Sequence, residues 1–286
     1  MTEPASVPTG GVVPSGAHAV FAALLEARTG QSLGHNRAWR LETALCPMMR
    51  EHDCDTLDAL ALLLLSGRHP GIADRAVEVL LNGETSFFRD PGVFAMVADA
   101  IAASAAGRPR LWCAGCSTGQ EPLSLAMLFA ERGGDMPEIV ATDWSDPAIA
   151  RARAGRFNQF EIQRGLSAAR MIRWFDEAGG AHAGDWIAKP ELLRPIQFRR
   201  ANLVFDGPPA GQFDAIFCRN VLLYFAAPAR RTVLTRLAGA LKPGGVLVLG
   251  AGETVIGQSD AFQPSGRYRG LYEPVPRPWA PRAAAG

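Results

Sequence analysis

The chain has no apolar run approaching the roughly 20 residues that cross a bilayer. Its strongest candidate, Ala59 to Leu65, is far too short, which points to a soluble protein. It has no excess of either charge: 29 Lys plus Arg stand against 28 Asp plus Glu. No global field therefore draws it to nucleic acid or to an anionic membrane, and any partner is recognised through local features. It has no disulfide framework, because Cys46, Cys54, Cys113, Cys116 and Cys218 are odd in number and scattered, a usage that fits the cytoplasm. Cys113 and Cys116 form a C-x-x-C, but no second Cys or His pair follows to complete a tetrahedral site, so no metal is expected. The first residues lack the basic start and apolar core of a signal peptide. Rich in Pro, Gly, Ser and Val, residues 1–14 are expected to form a loose tail, and the Pro-, Arg- and Ala-rich residues 275–286 another.

What is present suits a folded protein of two units, since 286 residues with 48% hydrophobic content can fill a sizeable core. Over residues 15–81 the apolar positions recur at helical spacing, as at Val20, Leu24 and Leu25 and again at Leu57, Leu60, Leu62 and Leu65, predicting a small all-helical domain. Asp55, and Asp90 followed by Pro91, are candidate helix starts. Residues 82–108 read as a linker and connecting helix.

From residue 109 the pattern becomes short apolar strands alternating with helices, the signature of an α/β domain with a parallel sheet, extending to 274. Strands are expected at Arg110 to Ala114, Glu138 to Thr142 and Ala215 to Cys218, and helices at Glu121 to Glu131, Pro147 to Gly155 and Pro228 to Leu241. A further strand follows the Lys242-Pro-Gly-Gly245 turn. Residues 157–200, rich in aromatic and basic side chains, interrupt the alternation and read as an insertion.

Four places carry the chemistry. The first strand runs into Ala114-Gly-Cys-Ser-Thr-Gly119 and then directly into a helix, a glycine turn at the sheet edge where open α/β proteins bind ligands. It is neither G-x-G-x-x-G nor a phosphate loop, since no Lys follows the second glycine. Asp143 ends the second strand, where a carboxylate can accept both hydroxyls of a ribose; equally it can be an acid at a helix start. A nucleoside cofactor without a bound pyrophosphate is the reading that joins the two. The third place is Cys218-Arg-Asn-Val-Leu-Leu-Tyr-Phe225, delivering Arg219 and Asn220 to the same edge, with Tyr224 open to a core or a catalytic reading. The fourth is Glu84-Thr-Ser-Phe-Phe-Arg89, in which Arg89 is either a solvated charge or an arginine fixed by its aromatic neighbours.

At these places the chain resembles the chemotaxis receptor methyltransferases of the CheR type. The matching residues are Glu84 to Pro91, Ala114 to Pro122, Ser124 to Met127, Ala141-Thr-Asp143, Arg199 to Leu203, Phe213 to Phe225 and Leu241 to Gly245. The resemblance extends over residues 24–274. It implies a helical N-terminal domain and a Rossmann-like S-adenosylmethionine-dependent methyltransferase domain with a small inserted β subdomain. It implies methyl transfer from S-adenosyl-L-methionine to glutamate side chains of methyl-accepting chemotaxis receptors, leaving S-adenosyl-L-homocysteine. Cofactor contacts then fall on Thr85, Arg89, Gly115 of the turn, Glu121, Asp143, Asn202, Leu203, Arg219 and Asn220. Arg89 and Tyr224 fall beside the transferable methyl, as the catalytic pair. A monomer is expected, with no nucleic-acid partner and no insertion into the membrane. Two departures stand out: Gly83 occupies a place where many members carry Asn, and the basic helix expected to face the receptor keeps Arg37, Arg40 and Arg50 but is diluted by Glu42, Pro47 and Glu51.

A glutamate carboxylate is ionised near pH 7, so its methylation needs alignment and dehydration rather than a general base. Two alternatives remain: another carboxylate acceptor, and a non-catalytic regulator that binds the same cofactor.

Overall fold

The computed structural model describes residues 16–33, 38–104 and 107–276. The chain divides into two compact units, Met1–Asn82 and Gly83–Gly286. No helix among the described residues is long and apolar enough to cross a membrane.

The first unit is helical, with α1 (Gly16–Thr29), α2 (Ala38–Glu51), α3 (Leu57–Leu65) and α4 (Ile72–Leu80). One apolar face of each meets in a core that includes Phe21, Leu45, Met48, Leu60 and Ala76. The cap of α3 is Thr56, whose hydroxyl accepts from the Ala59 amide at 3.1 Å, rather than the expected Asp55. The Thr side chain sits where its oxygen reaches a free first-turn amide. Of the basic residues singled out in this unit, Arg37 lies outside the described residues, Arg40 lies in the first turn of α2 and Arg50 in its last.

The second unit opens with α5 (Pro91–Ser104) and is organised by a seven-stranded sheet. In chain order its strands are β1 (Arg110–Ala114), β2 (Glu138–Asp143), β6 (Ile196–Arg200), β7 (Phe213–Cys218), β8 (Leu241–Leu249), β9 (Phe262–Pro264) and β10 (Leu271–Pro274). Their spatial order is β6-β2-β1-β7-β8-β10-β9. The first five are parallel, and β10 and β9 add antiparallel at the far edge. Helices α6 (Gln120–Arg132), α7 (Asp146–Ala154) and α11 (Ala227–Ala240) make the connections that parallel strands require. The central strands are buried on both faces, which is why Leu111 to Ala114 and Ala215 to Cys218 are apolar without alternation.

Between α7 and β6 the chain builds a separate three-stranded antiparallel sheet, in the order β3-β5-β4, from β3 (Arg156–Asn158), β4 (Phe175–Glu177) and β5 (Asp185–Ala188). It carries α8 (Gln159–Gln163) and α9 (Ala168–Trp174), and α10 (Pro190–Leu193) leads back to the main sheet. The expected insertion over residues 157–200 ran too far at its end, because Ile196–Arg200 is the edge strand of the main sheet, paired with β2. An edge strand alternates: Ile196 and Phe198 are buried while Gln197 and Arg199 are exposed. That alternation gave it the polar look of an inserted loop.

The small sheet is packed to the segment preceding α5 by aromatic rings. Phe87 meets Phe157 edge-on at 5.0 Å and Phe175 at 5.6 Å between centroids, and all three are fully buried. Each such ring contributes roughly 1.5–3 kcal/mol by burial. The Phe87 amide also donates to the Arg164 carbonyl at 3.0 Å. Gly165 follows at a φ of +90°, and a Cβ there would lie 1.9 Å from the Phe87 carbonyl oxygen, so the chain passes there only as glycine.

Candidate active site

The carboxyl ends of β1, β2, β7 and β8 open onto one edge of the sheet, and residues 83–90 lie against the same edge. The turn after β1 is held from below by β2: the Gly115 and Cys116 amides both donate to the Thr142 carbonyl, at 2.8 and 2.9 Å. Gly115 has a φ of +94°, and a Cβ on it would fall 2.5 Å from Val221 Cγ2. This glycine therefore permits both the turn and the close approach of the loop after β7.

Asp143 closes the turn on the other side. Its Oδ2 accepts from the Ser117 amide at 2.8 Å and its Oδ1 from the Ser145 amide at 3.0 Å. Burial pushes its carboxyl above the usual range, against the opposing pull of the Ser145, Ser117 and Trp144 amides. It does not cap the following helix; Ser145 does, accepting from the Ala148 amide at 3.1 Å. Of the two readings open for Asp143, the helix start is thus capped by another residue, and with three amide donors the carboxylate keeps about one of its roughly four acceptor sites.

Segment 83–90 is pinned at several points. The Ser117 hydroxyl donates to the Gly83 carbonyl at 2.8 Å. The Phe88 amide donates to Ser124 Oγ at 2.9 Å, and that hydroxyl donates to the Gln120 carbonyl at 2.6 Å. Arg164 pairs with Glu84 at 2.9 Å. Between these points Thr85 and Arg89 are half-buried, and among the described residues the Arg89 guanidinium donates no hydrogen bond.

Arg219, 2% exposed, joins this segment to the sheet. Its Nη2 bonds Asp90 and its Nη1 reaches Glu121 Oε2 at 3.3 Å. Burial raises the Glu121 carboxyl, outweighing the pull of Arg219 and of Arg89 beyond it. Desolvation thus exceeds the attraction of the pair, as expected for charges taken out of water. Two buried polar atoms have no partner among the described residues, Arg219 Nε and Asn220 Oδ1.

Beyond Asn220 a single 3-10 turn, Leu222–Tyr224, buries Leu222 and leaves Tyr224 half-buried. Asn202 and Leu203, after β6, sit differently. Asn202 Oδ1 accepts from the Val204 and Phe205 amides at 2.8 and 3.2 Å and so shapes its own turn, while Leu203 packs on the core around Trp112.

The structure therefore gathers Gly115, Asp143, Glu121, Arg219 and Asn220 about the carboxyl ends of β1, β2 and β7, with Glu121 paired to Arg219 and Asp143 bonded to the turn that follows Gly115, and places Asn202 and Leu203 one strand further out, after β6. Sequence reasoning missed Glu253, which follows β8 and accepts from the Asn220 and Gly250 amides at 2.6 and 2.9 Å and from the Leu223 amide at 3.2 Å. Its signal was an acid just past a strand end in Gly250-Ala-Gly-Glu253. It also missed the second role of Asp90. Cys113, Cys116 and Cys218 are all buried, and burial holds their thiols well above the ordinary range. They are inert thiols, and no metal-binding group occurs among the described residues.

Residues 83–270 match the family model described as "CheR methyltransferase, SAM binding domain". The chain is 36% identical over 256 residues to "Chemotaxis protein methyltransferase 1" of Pseudomonas aeruginosa, covering 85% of this chain and 92% of that protein. It is 34% identical over 255 residues to a chemotaxis protein methyltransferase of Pseudomonas putida, with the same coverage. A chemotaxis protein methyltransferase of Escherichia coli is 34% identical over 197 residues, covering 67% of this chain and 68% of that protein.

Proposed function

The chain belongs to the CheR methyltransferase family, and from that premise we propose that this S-adenosylmethionine-dependent methyltransferase esterifies glutamate side chains of methyl-accepting chemotaxis receptors. The coarser part, S-adenosylmethionine-dependent methyl transfer, follows from the family itself. The acceptor is the proposal, supported by relatives named chemotaxis protein methyltransferases and by the kind of site the chain builds.

The residues present suit the cofactor. Asp143 presents at the strand end a carboxylate with acceptor capacity beyond its three amide donors, a fit for a ribose hydroxyl. Asn220 Oδ1 is a buried acceptor without a partner, a costly arrangement that a donor such as an ammonium group relieves. In this reading Glu121, Arg219, Thr85 and the turn at Gly115 complete the binding of the donor, with Asn202 and Leu203 bordering its base.

When bound, the cofactor supplies an electrophilic methyl on a sulfonium. The remaining task is to bring a carboxylate oxygen into line with it and exclude water, and no proton has to be removed. The observation that carries this reading is the pair of polar side chains beside the site: Arg89, half-buried, whose guanidinium donates no hydrogen bond among the described residues, and Tyr224, half-buried on the 3-10 turn. A guanidinium and a phenol together hold an anionic oxygen in place. No His lies among these residues and the nearby cysteines stay protonated, which suits an acceptor that is already ionised.

The test is to incubate the protein with cofactor and receptor and to map the modified receptor peptides. The proposal requires the added methyl on glutamate side chains; a methyl on lysine, cysteine or a terminus rejects it.

A further inference from the structure

Tyr224 and Asn220 lie on one loop, residues 219–225, and that loop is gripped by two charged side chains that the cofactor and acceptor contacts do not include. On its amide side stands Glu253. Its Oε2 accepts from the Asn220 amide at 2.6 Å and the Gly250 amide at 2.9 Å, and its Oε1 accepts from the Leu223 amide at 3.2 Å. On the carbonyl side stands Arg230, in the first turns of α11. Its Nε donates to the Leu222 carbonyl at 3.0 Å, its Nη2 to the Phe225 carbonyl at 2.9 Å, and its Nη1 to Gln258 Oε1 at 2.7 Å. The peptide group between Leu222 and Leu223 is thus held at both its N–H and its carbonyl, and the Phe225 carbonyl beyond Tyr224 is held as well, by charge-assisted bonds, which are roughly twice as strong as neutral ones.

The loop needs such holding. Asn220 has a φ of +58°, in the left-handed region that a non-glycine residue keeps only where its surroundings favour it. It is also the residue whose Oδ1 is buried without a partner. Backbone strain and an unsatisfied acceptor coincide on one residue, and the Glu253 carboxylate bonds its amide.

We infer that Glu253 is a positioning residue for the transfer reaction, with its two oxygens doing separable work: Oε2 sets Asn220, and Oε1 together with Arg230 sets the turn that carries Tyr224. The inference rests on the proposed function for the role of Tyr224, and not for the grip itself. The division between the oxygens makes it testable with a conservative change. In Glu253→Gln the amide oxygen at the Oε2 position keeps the Asn220 and Gly250 bonds. Its NH2 then faces the Leu223 amide, donor against donor, and that bond is lost.

The experiment compares Glu253→Gln and Arg230→Lys with the unaltered chain in three measurements. These are S-adenosylhomocysteine affinity by calorimetry, kcat and KM for transfer to receptor-containing membranes, and amide hydrogen exchange at Asn220, Leu223 and Tyr224. The expected result for Glu253→Gln is affinity within about twofold of the unaltered chain and kcat/KM lower by about tenfold to a hundredfold, the scale of an angstrom-sized misplacement. Exchange should be faster at Leu223 with Asn220 still protected. Arg230→Lys should reproduce the affinity and kcat/KM results without touching Glu253. If affinity and transfer fall by one common factor, or transfer is unaltered while Leu223 exchanges faster, the inference is overturned. If the unaltered chain labels no receptor, it is the acceptor reading that fails. The grip is then decided by exchange and affinity alone: selective loosening of Leu223 with intact cofactor-product binding supports it, and unchanged Leu223 exchange refutes it.

Discussion

Arg219 and Glu121 form a buried ion pair across the mouth of the sheet, Nη1 to Oε2 at 3.3 Å, with the Arg219 side chain 2% exposed. The pair ties the strand-end loop to the first turn of α6, and through Asp90 it ties both to segment 83–90. Removing the cation alone leaves Glu121 buried without its counter-charge. Arg219→Met should therefore destabilise the fold by about 3–5 kcal/mol, measured by denaturant unfolding. Adding Glu121→Gln should recover part of that loss; a double variant no more stable than the single one contradicts the account.

The raised carboxyl of Asp143 gives opposite pH dependences for binding and for stability. The ionised form accepts more hydrogen bonds, so affinity for S-adenosylhomocysteine should fall as pH drops through the raised range, earlier than an ordinary aspartate would allow. Stability of the ligand-free chain runs the other way. Protonation favours the folded state, so the contribution of this group is present below its unfolded value and lost as pH rises through its folded one. Asp143→Asn should remove this component from both titrations and weaken binding by about 1.5–3 kcal/mol. Titration calorimetry across the acidic range reads the binding effect, and denaturant unfolding of the ligand-free chain over the same range reads the stability effect.

Arg89 and Tyr224 should both be needed for turnover, and Tyr224 should separate from the donor-binding residues in steady-state kinetics. Tyr224→Phe removes one hydroxyl and Arg89→Ala one guanidinium. Each should lower kcat/KM for the acceptor by about tenfold to a thousandfold, while Tyr224→Phe leaves S-adenosylhomocysteine affinity within about twofold, a shift of a few tenths of a kcal/mol. Full turnover in both variants sinks the assignment.

Gly165 tests the attachment of the small sheet. Alanine there places a Cβ against the Phe87 carbonyl, and the strain should cost about 1–3 kcal/mol. Because Phe87 precedes Arg89 by two residues, the same change should lower methyl transfer. Wild-type stability in Gly165→Ala is the contrary outcome.

Much of this architecture was legible in the residues because the physics there is local. The continuous apolar runs of β1, β2 and β7, the glycine turn at 115–119 and Asp143 at the next strand end announced a parallel sheet with a site at its carboxyl edge. Ile196–Arg200 was misplaced because an edge strand alternates like a surface loop. Glu253 and Arg230 were missed because neither bonds to a side chain of the motif. Glu253 holds the backbone of a loop 33 residues earlier in sequence and Arg230 holds the same loop from 8 and 5 residues on, and such backbone bonding leaves little residue pattern beyond the acid past a strand end. Asp90 was read as a helix start, and nothing in the sequence pairs it with Arg219, 129 positions on.

The central claim is the identity of the acceptor, and one assay addresses it directly. The protein is incubated with S-adenosylmethionine labelled at the methyl and with membranes bearing chemotaxis receptors, and the product is divided between neutral buffer and mild alkali. The account predicts label on the receptor band that alkali releases, as a carboxyl methyl ester must. Label that survives alkali, or no receptor label from a chain that binds S-adenosylhomocysteine, would contradict it.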